Sequence, residues 1–373
     1  MRPANSTAKS YFLSQSSAIW QIGNLALSSP HLPRPWHNTR WLIGPALLPF
    51  YRAAVARRNA RFDRGHGIRR IPLPVISVGN LTTGGTGKTP MVMLICRQLL
   101  AMGHHPAIAL RGYKADASGH SDEADEYRRT IPSVPVIRGA NRWAAITAFL
   151  AHAEGRTPDC IVLDDGFQHR QLHRDLDIVL LSAEVDLLTE PLLPAGDLRE
   201  PLANLRRAGL VILTHAAAAM PAINANVHWS CRLPPGLPHP TVLTQHTWHA
   251  LRDRNENDLP LNTLAATPTL ALCAIGSPTA FFAAAQRTCT VVRTLALPDH
   301  AKFDAATVRD INATIAASGA RAMLVTEKDW SKLRTLPAEA FTVPIYRAAL
   351  KLEILAGDRV LASALQAALT RPK

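Results

Sequence analysis

The sequence has few cysteines, a shortage of acidic residues and no long hydrophobic run. Its five cysteines are scattered without a Cys-x-x-Cys spacing, which argues against a zinc site or a disulfide framework and is typical of a reducing compartment. The best apolar run, 41–51, contains two prolines and is shorter than the roughly 20 residues of a membrane-spanning helix. The start of the chain is too polar for the hydrophobic part of a signal peptide. Residues 1–35 are therefore predicted to be a disordered extension.

Acidic residues are outnumbered, with 28 Asp and Glu against 41 Lys and Arg, a net charge of +13. Such an excess predicts an anionic partner: nucleic acid, an anionic membrane surface or a phosphorylated substrate. The arginines concentrate between residues 34 and 70, where Asp63 is the single acid. There an apolar run rich in Trp and Phe precedes the arginines, which is typical of a helix lying in the headgroup plane of a membrane. An ordinary amphipathic helix with solvated arginines fits this composition equally well.

A glycine-rich segment is the strongest signal in the sequence. Residues 74–90 have the order of a buried strand, a turn and a helix start, which builds a phosphate-binding loop from inward N–H groups and a helix dipole. Lys88 is expected to reach the β- and γ-phosphates of a nucleotide, and the Thr89 hydroxyl to bind Mg²⁺. A threonine replaces the first glycine of the G-x-x-x-x-G-K-[ST] pattern. The predicted phosphate-binding residues are Thr82, Thr83, Gly84, Gly85, Thr86, Gly87, Lys88 and Thr89.

Two adjacent carboxylates, Asp164 and Asp165, follow the apolar run 160–163. A hydrophobic strand that ends in a carboxylate is the expected Mg²⁺ partner of a phosphate loop. Mg²⁺ usually takes one or two carboxylates together with phosphates, so Asp164 is predicted to bind the metal. By itself, a hydrophobic strand followed by two aspartates is a weak signal and is often only a capped turn. The phosphate loop at Lys88 is what favours a metal site here.

Other charged clusters follow predicted strand ends but are weaker signals. The acidic cluster 122–126 by itself fits a solvated helix start, since acids favour the first helical turn. His300 is suited to proton transfer near neutral pH, although the chain has 15 histidines. The segment 326–329 fits a helix cap and a functional turn equally well.

The hydrophobic pattern predicts an α/β protein with a parallel sheet covered by helices. Predicted strands span 73–78, 106–110, 160–164, 177–182 and 209–214, with helices that include 88–102 and 141–153. The rhythm breaks around 216–268, where short strands are expected near 226–232 and 241–248. A second pattern follows, with strands 269–274, 290–297, 321–326 and 342–346 and helices 278–288, 304–318 and 358–370.

Together the motifs resemble one family, the tetraacyldisaccharide 4′-kinases of lipid A biosynthesis. The resemblance runs from about residue 36 to the C-terminus, and its most specific parts are the phosphate loop with Asn80-Leu81-Thr82 before it and the string 164–169. The other matching pieces are Arg111-Gly112-Tyr113, Asp122-Glu123, Pro194-Ala195-Gly196, Arg199-Glu200, Ile275-Gly276-Ser277-Pro278, Asp299-His300 and Thr326-Glu327-Lys328-Asp329. Leu110 replaces a serine of the family pattern, and Ser121 and Ala124 replace the glycine and proline around Asp122-Glu123. The nearby Asp125 leaves open which aspartate matters.

The resemblance implies a kinase that uses ATP and Mg²⁺ to phosphorylate the 4′-hydroxyl of a tetraacyldisaccharide 1-phosphate. It implies Asp122 as the base, with support from His300. It adds Lys88 and Asp165 to the catalytic residues. Arg199 is a candidate charge stabiliser, and Glu200 is a candidate polar neighbour. It also implies a P-loop NTPase-like parallel sheet domain and a second, smaller α/β domain joined by a two-stranded linker. The expected segments are a membrane-associating helical segment at 36–70, a kinase domain at 71–225, a linker region at 226–268 and a smaller domain at 269–373.

For the arginine-rich segment, the resemblance favours membrane binding over the ordinary amphipathic helix. The expected place of the protein is the cytoplasmic face of the inner membrane of a Gram-negative-type cell, as a peripheral monomer. The expected partners are the lipid disaccharide and the anionic membrane surface, without nucleic acid.

Two other classes of nucleotide-binding protein fit the sequence less well. A P-loop GTPase would need Asn-Lys-x-Asp after a later strand, where this chain has Leu213-Thr214-His215-Ala216. A nucleic-acid-binding ATPase would interleave its arginines with stacking aromatics along one face, whereas here they cluster beside an apolar run.

Overall fold

The structure, a computed structural model, describes residues 37–83, 86–112, 122–152, 157–216, 233–275, 278–298 and 301–370. The strands are β1 Val75–Asn80, β2 Pro106–Leu110, β3 Val136–Arg138, β4 Cys160–Asp164, β5 Leu176–Ser182, β6 Leu210–Thr214, β7 Val242–Arg252, β8 Asp258–Leu259, β9 Thr269–Cys273, β10 Val291–Ala296, β11 Ala322–Val325 and β12 Ile345–Ala356. The α-helices are α1 His37–Asp63, α2 Lys88–Ala101, α3 Asp122–Thr130, α4 Arg142–His152, α5 Pro278–Thr288, α6 Ala305–Ser318, α7 Glu327–Leu333 and α8 Asp358–Leu369.

Within the described residues the strands form one sheet, in the order β10-β9-β11-β12-β7-β6-β5-β1-β4-β2-β3, with β8 beside β7. Neighbours along this path are parallel except β7 and β12, which are antiparallel. Every residue of β1, β2, β4, β6 and β9 is buried, as expected for parallel strands covered on both faces. The predicted α/β class with a mostly parallel sheet is confirmed.

The sheet places the candidate site because parallel strands bring their carboxyl ends to one edge. β1 lies between β4 and β5, with Val78 opposite both Asp164 and Ile178. The end of the strand that leads into the glycine-rich loop is thus next to the end of the strand that carries Asp164. Ligands of open α/β sheets bind at this edge.

The long antiparallel pair β7–β12 joins the two halves of the sheet, from Arg252 opposite Arg347 to Leu243 opposite Ala356. The expected strand at 241–248 is therefore found, and its partner is β12. The prediction of a short strand at 342–346 is wrong in extent, because β12 continues to Ala356. The other expected linker strand, 226–232, lies outside the described residues.

The last helix, α8, packs with strands of the first half of the sheet. Leu361 and Leu365 of α8 belong to the same buried cluster as Ile76 of β1 and Ile178 of β5, whereas β9 and β11 form their cores with α5, α6 and α7. The chain therefore returns to its first half after crossing β12. The proposed division into a domain at 71–225 and a smaller one at 269–373 stays a prediction.

Helix α1 has one face on the protein and one face exposed. Val55, Asn59 and Phe62 are buried, whereas Leu47 is 48% exposed and Phe50 is 74% exposed. No helix in the described part of the chain is both long and apolar enough to cross a membrane.

Candidate functional site

The glycine-rich loop connects β1 to α2 in the order that the sequence predicts. Gly87 precedes α2 with φ of 78°, in the left-handed region that glycine adopts without strain. The Lys88 ammonium donates a hydrogen bond to Asn80 Oδ1 at 3.2 Å, and Asn80 Nδ2 donates to Thr86 Oγ1 at 2.8 Å. Asn80 therefore fixes the lysine and the loop relative to each other. The predicted phosphate ligands Gly84 and Gly85 lie outside the described residues.

A second segment fixes the start of this loop. Thr83 N–H donates to the Asp197 carbonyl at 2.7 Å, and the Thr83 hydroxyl donates to Asp197 Oδ1 at 2.5 Å. The Arg199 N–H donates to the Leu81 carbonyl at 2.7 Å, and Thr82 is bridged to Leu198. These bonds place the segment with Arg199 beside the phosphate loop, although the segment and the loop are far apart in sequence.

Asp164 ends β4 as a buried carboxylate, 4% exposed. Its Oδ2 accepts a hydrogen bond from the Tyr127 hydroxyl at 2.9 Å, and its Oδ1 is buried without a hydrogen-bond partner in the described residues. Burial raises the pKa of this carboxyl above its usual value, against the hydrogen bond from Tyr127 and the charge of Lys88. The Tyr127 hydroxyl also interacts with the Thr89 hydroxyl, so the predicted metal ligands Thr89 and Asp164 meet around one tyrosine.

This arrangement fits Mg²⁺. A buried carboxylate oxygen without a partner, close to a hydroxyl at the end of a phosphate loop, is a hard-oxygen donor set of the kind Mg²⁺ uses. The described residues contain no group of three or more His, Cys, Asp or Glu side chains that could hold a metal without help. A metal here would therefore depend on phosphate oxygens, which is usual for Mg²⁺.

Asp165 follows the strand and turns towards the cations. Its Oδ1 lies 3.6 Å from the Lys88 ammonium, and its two carboxylate oxygens lie 2.9 and 2.8 Å from Arg199 Nη1. Burial opposes its ionisation, but Lys88 and Arg199 together outweigh burial and hold the pKa of Asp165 below its usual value. Its φ of 50° is left-handed, an uncommon conformation for a residue with a side chain, which allows both neighbouring aspartates to face the site.

Arg142, which the sequence analysis missed, holds this strand end from behind. It is buried at the start of α4. It donates to the Asp164 carbonyl at 2.6 Å and to the Asp165 carbonyl at 3.2 Å. The guanidinium thus binds the backbone of both aspartates and leaves their carboxylates free to face the loop.

The described hydrogen bonds of Glu200 go to residues outside the phosphate loop. Its Oε2 accepts hydrogen bonds from Asn59 at 3.0 Å, Asn204 at 2.8 Å and Arg207 at 2.7 Å. Since Asn59 belongs to α1, the described contacts of Glu200 anchor that helix. The Tyr51 hydroxyl of α1 donates to the neighbouring Arg199 carbonyl at 2.8 Å.

The two candidate bases, Asp122 and Asp125, both belong to α3. Asp122 begins α3, and its side chain lies outside the described part of the chain, as does His300. The side chain of Asp125 is 44% exposed, and its Oδ1 lies 3.0 Å from Arg128 Nη1.

The segment 326–329 is a helix cap. Thr326 Oγ1 accepts from the Asp329 N–H at 3.1 Å, and the Asp329 carboxylate accepts from the Ala274 N–H at 3.1 Å. These contacts fit the structural alternative for this segment.

Comparison with known proteins gives consistent matches along the chain. A model of the family described as tetraacyldisaccharide-1-P 4′-kinase matches residues 39–370. A tetraacyldisaccharide 4′-kinase of Pelobacter propionicus is 37% identical over 291 residues, 73% of this chain and 77% of that protein. One of Anaeromyxobacter sp. strain K is 36% identical over 338 residues, 86% and 88% of the two chains. The solved structure of LpxK from Aquifex aeolicus in complex with ATP has a TM-score of 0.67 at 27% identity and covers 87% of this chain and 99% of that one.

Proposed function

The chain belongs to the tetraacyldisaccharide 4′-kinase family and transfers the γ-phosphate of ATP to the 4′-hydroxyl of a tetraacyldisaccharide 1-phosphate, and we propose that the residues at the carboxyl ends of β1 and β4 carry out this transfer. The observation that carries the proposal is that Lys88, bonded to Asn80 at the phosphate loop, acts electrostatically on Asp164, whose buried Oδ1 has no hydrogen-bond partner in the described residues.

In this proposal Lys88 and the loop N–H groups hold the phosphates, and Thr89 and Asp164 hold Mg²⁺. A Mg²⁺ ion held by these residues would neutralise negative charge on the phosphates. Lys88 is already positioned by Asn80 and Asp165. Little reorganisation is then needed when the nucleotide binds, which favours catalysis by positioning.

Arg199 is proposed to stabilise the negative charge that develops on the transferred phosphoryl group. It is ion-paired with Asp165 at 2.8 Å, and that carboxylate lies between the two cations Lys88 and Arg199. Asp165 therefore acts as a positioning residue that keeps both cations at the site. Glu200 takes the role of anchoring the segment that carries Arg199.

Asp122 is proposed as the base that accepts the proton of the 4′-hydroxyl, with support from His300. The proposal rests on the match to the family motif and on the position of Asp122 at the start of α3, the helix that also carries Tyr127 to the metal site. Asp125, the alternative, is occupied by its ion pair with Arg128.

Helix α1 is proposed to lie on the anionic cytoplasmic surface of the inner membrane. Leu47 and Phe50 present an exposed apolar surface, and Arg52, Arg57 and Arg61 are exposed on the same helix. Apolar insertion together with arginine attraction to anionic lipid is the usual basis of such binding. No second copy of the chain is needed to complete this arrangement, so the proposed unit is a monomer.

The test is transfer of ³²P from [γ-³²P]ATP to a tetraacyldisaccharide 1-phosphate in detergent–phospholipid mixed micelles with Mg²⁺. Asp122→Asn is expected to lower kcat by roughly 10²–10⁴-fold, the usual contribution of a general base, with ATP affinity largely kept. The matched control, Asp125→Asn, is expected to stay close to the wild type. If the effects of the two variants are exchanged, Asp125 is the base. If labelled lipid does not form while ATP or GTP is hydrolysed, the chain is not this kinase.

A further inference from the structure

Two histidine rings meet beside the phosphate loop and have no part in the transfer described above. His215 directly follows β6, and His246 lies in β7. Their ring centroids are 5.3 Å apart with an interplanar angle of 39°. This is the contact distance of packed aromatic rings.

The His246 ring lies directly against the loop. A Cβ built on Gly87 would be 2.8 Å from His246 Cε1, so only a glycine at this position lets the ring reach the loop backbone. The loop thus has Asp164 and Asp165 on its β4 side and an imidazole pair on the side of β6 and β7.

The nucleoside part of a bound nucleotide would lie on the side of β6 and β7. In the proposed function the γ-phosphate end faces Lys88, Asp164 and Asp165, so the nucleoside end extends the opposite way. β6 is two strands from β1 on that side, a distance of about 10 Å at the usual spacing of strands. The first side chain at the carboxyl end of β6 is that of His215, whose φ of 55° is left-handed, a conformation that concentrates at functional sites.

We propose that the imidazole rings of His215 and His246 form the platform on which the adenine of ATP packs. The inference rests on the proposed function, because the direction of the nucleotide is taken from the metal and phosphate ligands. Both residues are then binding residues for the substrate nucleotide.

The surroundings of the pair suit stacking on an uncharged base. Burial, and to a smaller extent His215, lowers the pKa of His246 to about 4, so this ring is neutral at physiological pH and does not compete with Lys88 for phosphate. The sequence at the strand end, Thr214-His215-Ala216, has no carboxylate to accept hydrogen bonds from guanine. The platform is therefore expected to bind the planar base through stacking contact and not through hydrogen bonds to its edge.

The experiment compares two probes that share their phosphates but differ in the base. Affinities for ATP and for inorganic tripolyphosphate, both with Mg²⁺, are measured by calorimetry on the full chain. The variants are His215→Ala, His246→Ala, the ring-preserving His215→Phe and His246→Phe, and the control His249→Ala, an exposed histidine on the same strand as His246.

Each alanine variant is expected to lose roughly 5- to 100-fold in ATP affinity, the usual size of one base–ring contact. Tripolyphosphate affinity is expected to stay within about twofold, and the phenylalanine variants are expected to recover most ATP binding, since base–ring stacking needs only an aromatic face. Unchanged ATP affinity would overturn the platform. An equal loss for both probes would also overturn it, because His246 would then only shape the loop. Wild-type protein that binds ATP as expected but makes no labelled lipid would refute the kinase function and leave the platform standing.

Discussion

Removal of one oxygen atom, by Tyr127→Phe, tests the role assigned to Asp164. Tyr127 is fully buried, and its hydroxyl donates to Asp164 Oδ2 at 2.9 Å. Phenylalanine keeps the ring and its packing. Since Asp164 Oδ1 already lacks a hydrogen-bond partner in the described residues, the substitution leaves the buried carboxylate without a side-chain donor there.

The stability that Tyr127→Phe loses is that of one hydrogen bond to a charged group, about 1.5–3 kcal/mol. At neutral pH the free energy of unfolding of the nucleotide-free protein is therefore expected to fall by about that amount. The loss should depend on pH. Burial already raises the pKa of Asp164 in the folded chain, and the substitution raises it further. The folded state then binds the extra proton, so stability falls as pH rises through the interval between the unfolded and folded pKa values.

Activity gives a second reading of the same pKa. A protonated Asp164 cannot bind Mg²⁺, so the acid limb of the pH profile of kcat/KM should move to higher pH in Tyr127→Phe. The assay is the ³²P transfer described above, run across a pH series and paired with urea unfolding at each pH. The control is Tyr346→Phe, which changes a half-buried tyrosine of β12 in the other half of the sheet.

The control is expected to leave the acid limb in place. If Tyr127→Phe loses stability but its acid limb coincides with that of the wild type, Asp164 is not the carboxylate that must ionise, and the metal assignment is refuted. If stability is also unchanged, the hydrogen bond itself has no energetic weight.

Three further outcomes are expected. Gly87→Ala and Gly103→Ala both place a side chain at positive φ and should each lose about 1–2 kcal/mol in urea unfolding. Only Gly87→Ala should also weaken ATP binding in calorimetry, because its methyl meets the His246 ring and Gly103 has open space around it. Arg142→Met removes both bonds to the aspartate carbonyls and should lower kcat/KM by roughly 10- to 100-fold in the transfer assay, since misplaced groups cost about that much. Phe50→Glu should weaken cosedimentation with anionic phospholipid vesicles by roughly tenfold, which corresponds to the free energy of partly burying one aromatic ring in the membrane. The control Val360→Glu, on α8, should leave cosedimentation unchanged. Equal vesicle binding by Phe50→Glu and the wild type would argue against α1 as the membrane contact.

The parts of the fold that could be predicted are those with a local signal. The glycine-rich loop and Asp164 are each identified by a buried strand and the residues directly after it. The strand β12 also has a readable signal that was missed, since Leu350-Lys351-Leu352-Glu353-Ile354 alternates apolar and charged residues as a half-buried strand does. The three residues of β3 are too few for a periodicity.

Tyr127 and Arg142 could not be predicted because nothing in their own segments marks them. Tyr127 lies 37 positions from the aspartate that it contacts, and Arg142 lies 22 positions from the same residue. Each reaches the site only because β2, β3 and β4 are adjacent in the sheet and the helices between them pack against it. In the sequence, a tyrosine in an acidic helix and an arginine at a helix start look like ordinary surface residues, although both are buried in the structure. Their function comes from tertiary packing.

The same packing connects the proposed membrane contact to the site. Arg58 of α1 donates to the Gln168 carbonyl at 2.5 Å, Gln168 donates to the Asn80 carbonyl at 2.9 Å, and Tyr51 binds the Arg199 carbonyl. One face of α1 thus holds the segments that position Lys88 and Arg199, while the opposite face exposes Phe50. Because the faces are distinct, substitutions that weaken lipid binding and substitutions that impair catalysis should fall on different faces of the helix. A change on the docked face would disturb catalysis even where no membrane is present.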